Sequence, residues 1–156
     1  MMHIHIISIC QKVPAWVSAG YQDYVKRLPK EISLTLKEIP TPKRSAQNLA
    51  SCLALEAKQF LAAIPKEAYV IALDERGDLW DTLMLADKIK HWQMHAVQVC
   101  LLIGGPDGFH HCLAPHVHAK WSLSKLTLPH ALIRVILAEQ FYRAWTVLNK
   151  HPYHRP

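Results

Sequence analysis

Glycine is scarce here, five residues in 156, so the few that occur mark places where the backbone needs a freedom other residues lack. Long apolar runs are missing too: none approaches the roughly eighteen residues needed to span a bilayer. The opening MMHIHIISICQKVP alternates polar and apolar residues without a basic leader or a cleavage-site pattern. A soluble, cytoplasmic protein with no membrane partner is the expectation. The four cysteines, Cys10, Cys52, Cys100 and Cys112, stand far apart with no CxxC spacing, which implies neither disulfides nor structural zinc. Three of them sit in apolar stretches, where a reduced thiol behaves as a small hydrophobe. The Gly-Lys-Ser/Thr ending of a phosphate loop and the GxGxxG dinucleotide fingerprint are both absent.

What is present is a composition for packing, 51% hydrophobic and 19% charged, in a length suited to one globular unit spanning 1–156. Eighteen basic against twelve acidic residues give +6, with eleven histidines in reserve, a balance that favours a polyanionic partner. Residues 3–10 alternate as a strand does, and Pro14 opens a helix through Trp16, Tyr21 and Tyr24 to a stop at Pro29. Residues 32–39 alternate again, PTPKR reads as a loop, and Ser45 is positioned to cap a helix that ends at Pro65. Continuous apolar runs at 68–73 and 97–103 read as strands buried on both faces, separated by a helix over 82–95. Such alternation predicts an α/β fold on a parallel sheet. A final helix over 131–148 is apolar nearly all round, with Ile133, Ile136, Leu137, Phe141, Ala144 and Trp145 forming one stripe that Leu132, Val135 and Tyr142 widen. Burial against a second copy in a C2 dimer follows as an expectation.

Three of the five glycines, Gly104, Gly105 and Gly108, fall in LLIGGPDGFH directly after a strand. The mouth of a parallel sheet is where α/β proteins bind small molecules, so this is either a ligand loop or a tight Gly/Pro turn. IALDERGDLWDT puts Asp74, Glu75 and Asp78 into a polar turn around Gly77, an acidic site or a solvated corner. WSLSKLTLPH sets Ser122, Ser124 and Thr127 among apolar residues, as an irregular stretch offering amides and hydroxyls or as a short strand and turn. His110, His111, His116 and His118 lack the spacing and mixed ligand set of a zinc site, and no metal is expected. The tail NKHPYHRP mixes cations with an aromatic ring able to stack on a base, or is a frayed terminus.

Taken together, LIGGPDG, SLSKLTLPH, AEQFYRAW and the terminal HPYHR, in this order and at these separations, resemble the SPOUT-superfamily 23S rRNA pseudouridine-N3 methyltransferases. The resemblance covers nearly all of the chain, including QKVPAWVSAGYQDYVKRLP and ALDERGDLWDT. It implies a parallel-sheet fold with a C-terminal trefoil knot, which sequence reasoning does not reach, since chains rarely thread their own loops. It implies S-adenosylmethionine as cofactor, held at Leu73, Gly104, Gly105, Leu123, Ser124, Lys125, Leu126, Thr127 and Leu128. It further implies a homodimer with the active site at the subunit interface, and as substrate the 23S rRNA of the large subunit in an assembled ribosome. Methyl transfer to N3 then needs loss of the N3 proton and a cation near the base. Arg155 and His154 are the candidates for the cation and His130 for the proton acceptor, while Glu139 and Arg143 read as a structural i, i+4 pair. Two departures stand out: the loop reads GGPDG where the family carries GGPEG, and Pro156 follows Arg155, which bears on the reach of the tail. Two rival readings are a ribosome-binding factor without catalysis and a nucleotide-binding regulator using the glycine loop.

Overall fold

The computed structural model describes residues 1–10, 12–41 and 43–155. Pro42 of the anticipated PTPKR loop and Pro156 of the tail lie outside them. Strands β1 (Met2–Ile9), β2 (Ile32–Ile39), β3 (Tyr69–Leu79), β4 (Val99–Ile103) and β5 (Ala119–Ser122) form one sheet in the order β2-β1-β4-β3-β5. Every pairing is parallel. Helices α1 (Ala15–Val25), α2 (Leu49–Ala63), α3 (Thr82–Met94) and α4 (His130–Leu148) cover its faces.

The period-2 pattern explains the layering. In β1, Ile4 and Ile6 join a core with Tyr21 of α1, Leu85 and Ile89 of α3, and Leu137 and Phe141 of α4. Ile7 and Ile9 join a second core with Ala57 and Phe60 of α2. All five residues of β4 are buried, as a central parallel strand requires. The α/β parallel-sheet reading therefore stands.

Two local readings change. Ser45 does not cap α2: the helix starts four residues later with Asn48 at the N-cap, because Asn48 Oδ1 accepts from the Ser45 N–H at 2.6 Å and fixes a turn there. Asp74, Glu75, Gly77 and Asp78 do not form a turn, since β3 runs on through them to Leu79, with a register shift against β5 between Leu73 and Asp78. Gly77 is there for space: a Cβ on it would lie 2.6 Å from the carbonyl carbon of Lys120 and 2.8 Å from the Trp121 nitrogen. Since backbone on both sides must give way, Gly77→Ala is expected to cost about 1–3 kcal/mol of stability, as overpacking does. Urea unfolding checks this, and an unchanged midpoint would refute the steric account.

Helix α4 packs against both α1 and α3. These neighbours bury Leu137, Ala138, Phe141 and Ala144, while Leu132, Val135, Ile136 and Trp145 stay partly exposed. The helix also buries Arg134, which donates to Cys10 Sγ at 3.1 Å and faces Glu38 at 3.5 Å. Cys10, Cys52 and Cys100 are buried free thiols and Cys112 is exposed.

Candidate active site

Because all five strands run the same way, the carboxyl ends of β3, β4 and β5 open on one edge of the sheet, where each passes into a loop. A cavity of about 770 Å³ lies there. It is lined by Leu73 to Arg76 in the middle of the long β3, by the Gly104–His111 loop after β4, and by Leu123, Ser124 and Leu126 to His130 after β5. The three segments flagged in the sequence are thus brought together. Of the expected cofactor residues, Leu73, Gly104, Gly105, Leu123, Ser124, Leu126, Thr127 and Leu128 line it; the exposed Lys125 side chain does not.

The glycines of the loop have separate reasons. Gly108 takes φ +77° in a turn closed by its N–H to the Gly105 carbonyl at 3.1 Å. A Cβ on Gly104 would press on the Gly108 carbonyl oxygen and the Phe109 ring, both at 3.2 Å, and one on Gly105 would come within 2.8 Å of the Arg44 guanidinium. Arg44 ties this loop to the α2 side of the molecule: it pairs with the buried Glu56 and, at 3.2 Å, with Asp107. Thr41 also donates to Glu56, at 3.2 Å. Asp107, the short acid of the loop, therefore has a defined partner.

The segment after β5 is irregular but anchored. Ser122 Oγ donates to the Ser124 carbonyl, Ser124 Oγ accepts from the Leu126 N–H, both at 2.9 Å, and Thr127 Oγ1 donates to Glu75 at 3.2 Å. Among the described residues, the N–H groups of Leu123, Lys125 and Leu128 make no backbone–backbone hydrogen bond, which leaves donors for a ligand. Asp74 and Glu75 place carboxylates on the wall, complementary to a cationic ligand. Among the described residues no group of three or more His, Cys, Asp or Glu side chains converges.

His130 starts α4 and lines the cavity, whereas His154 and Arg155 do not. The reason is a reversal at the far end of α4. Lys150 adopts φ +55°, with its N–H to the Val147 carbonyl at 3.4 Å and the His151 N–H to the Thr146 carbonyl at 2.9 Å, the pattern of a Schellman cap. The tail then folds back along the helix. Tyr153 donates to Glu139 at 3.1 Å, and Arg143 donates to Glu139 at 2.7 Å and to His154 Nδ1 at 3.3 Å, while its guanidinium lies 4.7 Å from the Tyr153 ring centre. The expected Glu139–Arg143 pair is present and also holds the tail.

Burial and the Glu139 carboxylate push the Tyr153 hydroxyl up to about 12, and burial does the same to Tyr21. Each folded value lies above the ordinary value of 10.0, so the folded state holds these protons more tightly. Their contribution to stability is complete below pH 10 and is lost as pH rises through 12. Alkaline unfolding should coincide with ionisation of these phenols; separate ultraviolet tyrosinate and circular-dichroism transitions would contradict it.

Residues 2–154 match the family model described as Predicted SPOUT methyltransferase. The chain belongs to the SPOUT methyltransferase family. Its relatives among these enzymes match end to end: it is 48% identical over 155 residues to "Ribosomal RNA large subunit methyltransferase H" of Hydrogenovibrio crunogenus, covering 99% of each chain. Proteins of the same name from Verminephrobacter eiseniae, 49% identical over 99% of each chain, and Marinomonas sp., 46% identical over 99% of this chain and all of that one, agree. Among solved structures, the SpoU methyltransferase AviRb of Streptomyces viridochromogenes, in complex with the cofactor AdoMet, covers 89% of this chain and 56% of its own at 13% identity and a TM-score of 0.44, too loose a likeness to place any residue. As a SPOUT methyltransferase, the chain has its sheet-edge cavity built from loops that carry the family motifs.

Reading the sequence missed Arg44 and Glu56. The signal was available: on α2 the buried positions are Cys52, Glu56, Ala57 and Phe60, so Glu56 is a carboxylate on an apolar face, which has to be paired. The run PTPKR supplies its partner.

Proposed function

We propose that this SPOUT methyltransferase uses S-adenosylmethionine to methylate N3 of a pseudouridine in 23S rRNA, in the cytoplasm, on the assembled ribosome. End-to-end identity of nearly half with enzymes named for large-subunit ribosomal RNA methylation carries the reading. The cavity fits the cofactor by its own features: it has the volume of a small-molecule site, Asp74 and Glu75 on its wall suit a sulfonium and an ammonium group, and unpartnered amides after β5 suit polar substituents. Leu73, Gly104, Gly105 and the run Leu123–Leu128 would hold it, with Lys125 contributing backbone only. When bound, the cofactor supplies an electrophilic methyl group. The whole chain acts as one domain, and the trefoil knot belongs to the same proposal.

A neutral imide nitrogen is a poor nucleophile, so the protein must take the N3 proton and balance the resulting charge. In this proposal His130, which lines the cavity, accepts the proton. Arg155 supplies the positive charge, with His154, whose Nδ1 accepts from Arg143, beside it; within one chain both lie outside the cavity. The nineteen-residue α4 spans about 28 Å, with His130 at one end and the tail docked on its far half at Glu139 and Arg143. A homodimer resolves this when the tail of one copy completes the cavity of the other.

The test is transfer of labelled methyl from S-adenosylmethionine to ribosomes lacking the modification, with the nucleoside product identified by mass spectrometry. Label on N3 of one pseudouridine is expected. Cofactor binding without label would move the substrate elsewhere, and no cofactor binding would favour a non-catalytic ribosome-binding factor. A rRNA fragment methylated as well as intact ribosomes would remove the ribosome from the proposal.

A further inference from the structure

A second cavity, of about 450 Å³, adjoins the first. The two share Pro106 and His130 in their walls, so a single proline of the glycine loop and a single imidazole divide them. Their charges differ. The first cavity mixes Asp74, Glu75 and Asp107 with Arg76 and Lys120 in its lining, whereas the second has Lys12 and Arg44 and no acidic residue. Glu38, which accepts from Cys10 at the edge of this region, is turned to Arg134 and does not line the cavity. The remaining walls are apolar or small, chiefly Ile9, Val13, Pro14 and Ala131.

We propose that this second cavity is the acceptor pocket: it receives the pyrimidine nucleotide to be methylated, with Lys12 engaging a phosphate of its backbone. The inference rests on the methyltransferase reading above and assigns the side from which the substrate enters. A nucleotide joins a flat, weakly polar ring to an anionic phosphate, and the cavity offers apolar walls beside cations. Arg44 is already committed to Glu56 and Asp107, so it holds the wall; Lys12 is exposed and makes no ion pair among the described residues, so it is the cation free to meet a phosphate. The first turn of α4, at His130 and Ala131, adds amides with no side-chain cap, which favour an anion further. His130 faces both cavities, where a group that takes a proton from a nitrogen about to accept a methyl must stand. In that step the N3–H bond gives its pair to the new N3–C bond, the C–S bond breaks towards sulfur, and the proton passes to the imidazole.

The experiment has two arms on the full chain. In the first, uridine 5′-monophosphate is titrated into nitrogen-15-labelled protein, with uridine as the phosphate-free control. Shifts are expected at the Val13, Thr41 and Ala131 amides, at several-fold lower concentration for the monophosphate than for uridine, and to be lost in Lys12→Glu. Shifts confined to Leu73, Gly104 and Ser124, or none at all, would overturn the assignment. In the second arm, Lys12→Ala and Lys12→Glu are assayed on ribosomes: KM for ribosomes should rise about tenfold or more, with S-adenosylmethionine affinity and melting temperature unchanged. An unchanged KM alongside normal methylation would sink the acceptor pocket while leaving the methyltransferase reading intact. Should no RNA be methylated at all, the nucleotide titration still decides the pocket.

Discussion

Replacing Arg155 by alanine is expected to lower methyl transfer by about 10²–10³-fold, the usual loss when one preorganised donor to a developing negative charge is removed, while calorimetric binding of S-adenosylmethionine stays unchanged. The expectation comes from position. Arg155 lies outside the cavity of its own chain, so its removal cannot disturb cofactor contacts there. A mixing experiment separates the two copies. Thr127→Trp, at an exposed position on the cavity wall, should block cofactor binding and be inactive, yet it keeps an intact tail. Mixed dimers of the two inactive variants then contain one sound cavity facing one sound tail. Random pairing of equal amounts should restore about a quarter of the wild-type rate, since half of the dimers are mixed and each has one of two sites. Failure to recover any activity, or full activity in Arg155→Ala alone, would end the shared-site proposal.

Glu56→Ala should be the most damaging single change to stability outside the hydrophobic cores. Glu56 is 2% exposed, and it is the buried acceptor for both Arg44 and Thr41. Removing the buried partner leaves Arg44 only the more exposed Asp107, at a cost of about 3 kcal/mol, the lower end of the range for breaking a buried ion pair, or a fall in melting temperature of roughly 10 °C in a chain of this size. The effect should reach the active site as well. Asp107 would keep Arg44, but the guanidinium would lose its fixed anchor on α2 and with it the placement of the glycine loop, so cofactor affinity should fall together with stability. Glu56→Gln, which retains a hydrogen-bond acceptor, should fall between. A Glu56→Ala protein as stable as wild type in urea would show that Asp107 alone compensates.

Much of the fold is legible in the sequence. Residues 32–39 alternate, and they are β2 to the residue; the apolar run ending at Ile103 is the fully buried β4. Three segments were marked by what they contain: clustered glycine, clustered carboxylates, and serines among leucines. Their meeting at one sheet edge was not legible, because strand order is decided by long-range pairing, and β3 beside β4 and β5 is a property of the whole sheet. The extension of β3 past Leu73 was hidden for a local reason. Asp, Glu, Arg and Gly are turn-like in composition, yet here the backbone pairing with β5 overrides propensity and uses Gly77 to allow close approach. The apolar stripe of α4 was legible as a buried face, but not that α1 and α3 of the same chain cover its inner side. The tail's reversal at Lys150 could not be read either, because lysine in the left-handed region carries no signal where glycine would.

The seat of α4 between α1 and α3 has a consequence for how the chain comes to be folded. Its Leu137 and Phe141 fill the same core as Ile4, Ile6 and Tyr21, so the last fifth of the sequence closes what the first fifth opens. Contacts separated by more than a hundred residues have to form against the full loop-closure entropy, and topologies of this kind fold slowly for their size. As the polypeptide leaves the ribosome, the α1–α3 side of the sheet stays only partly covered until α4 has emerged, although α2 can already sit on the other side. The growing chain is thus most exposed to aggregation near the end of its synthesis, on the one face that its final helix will cover.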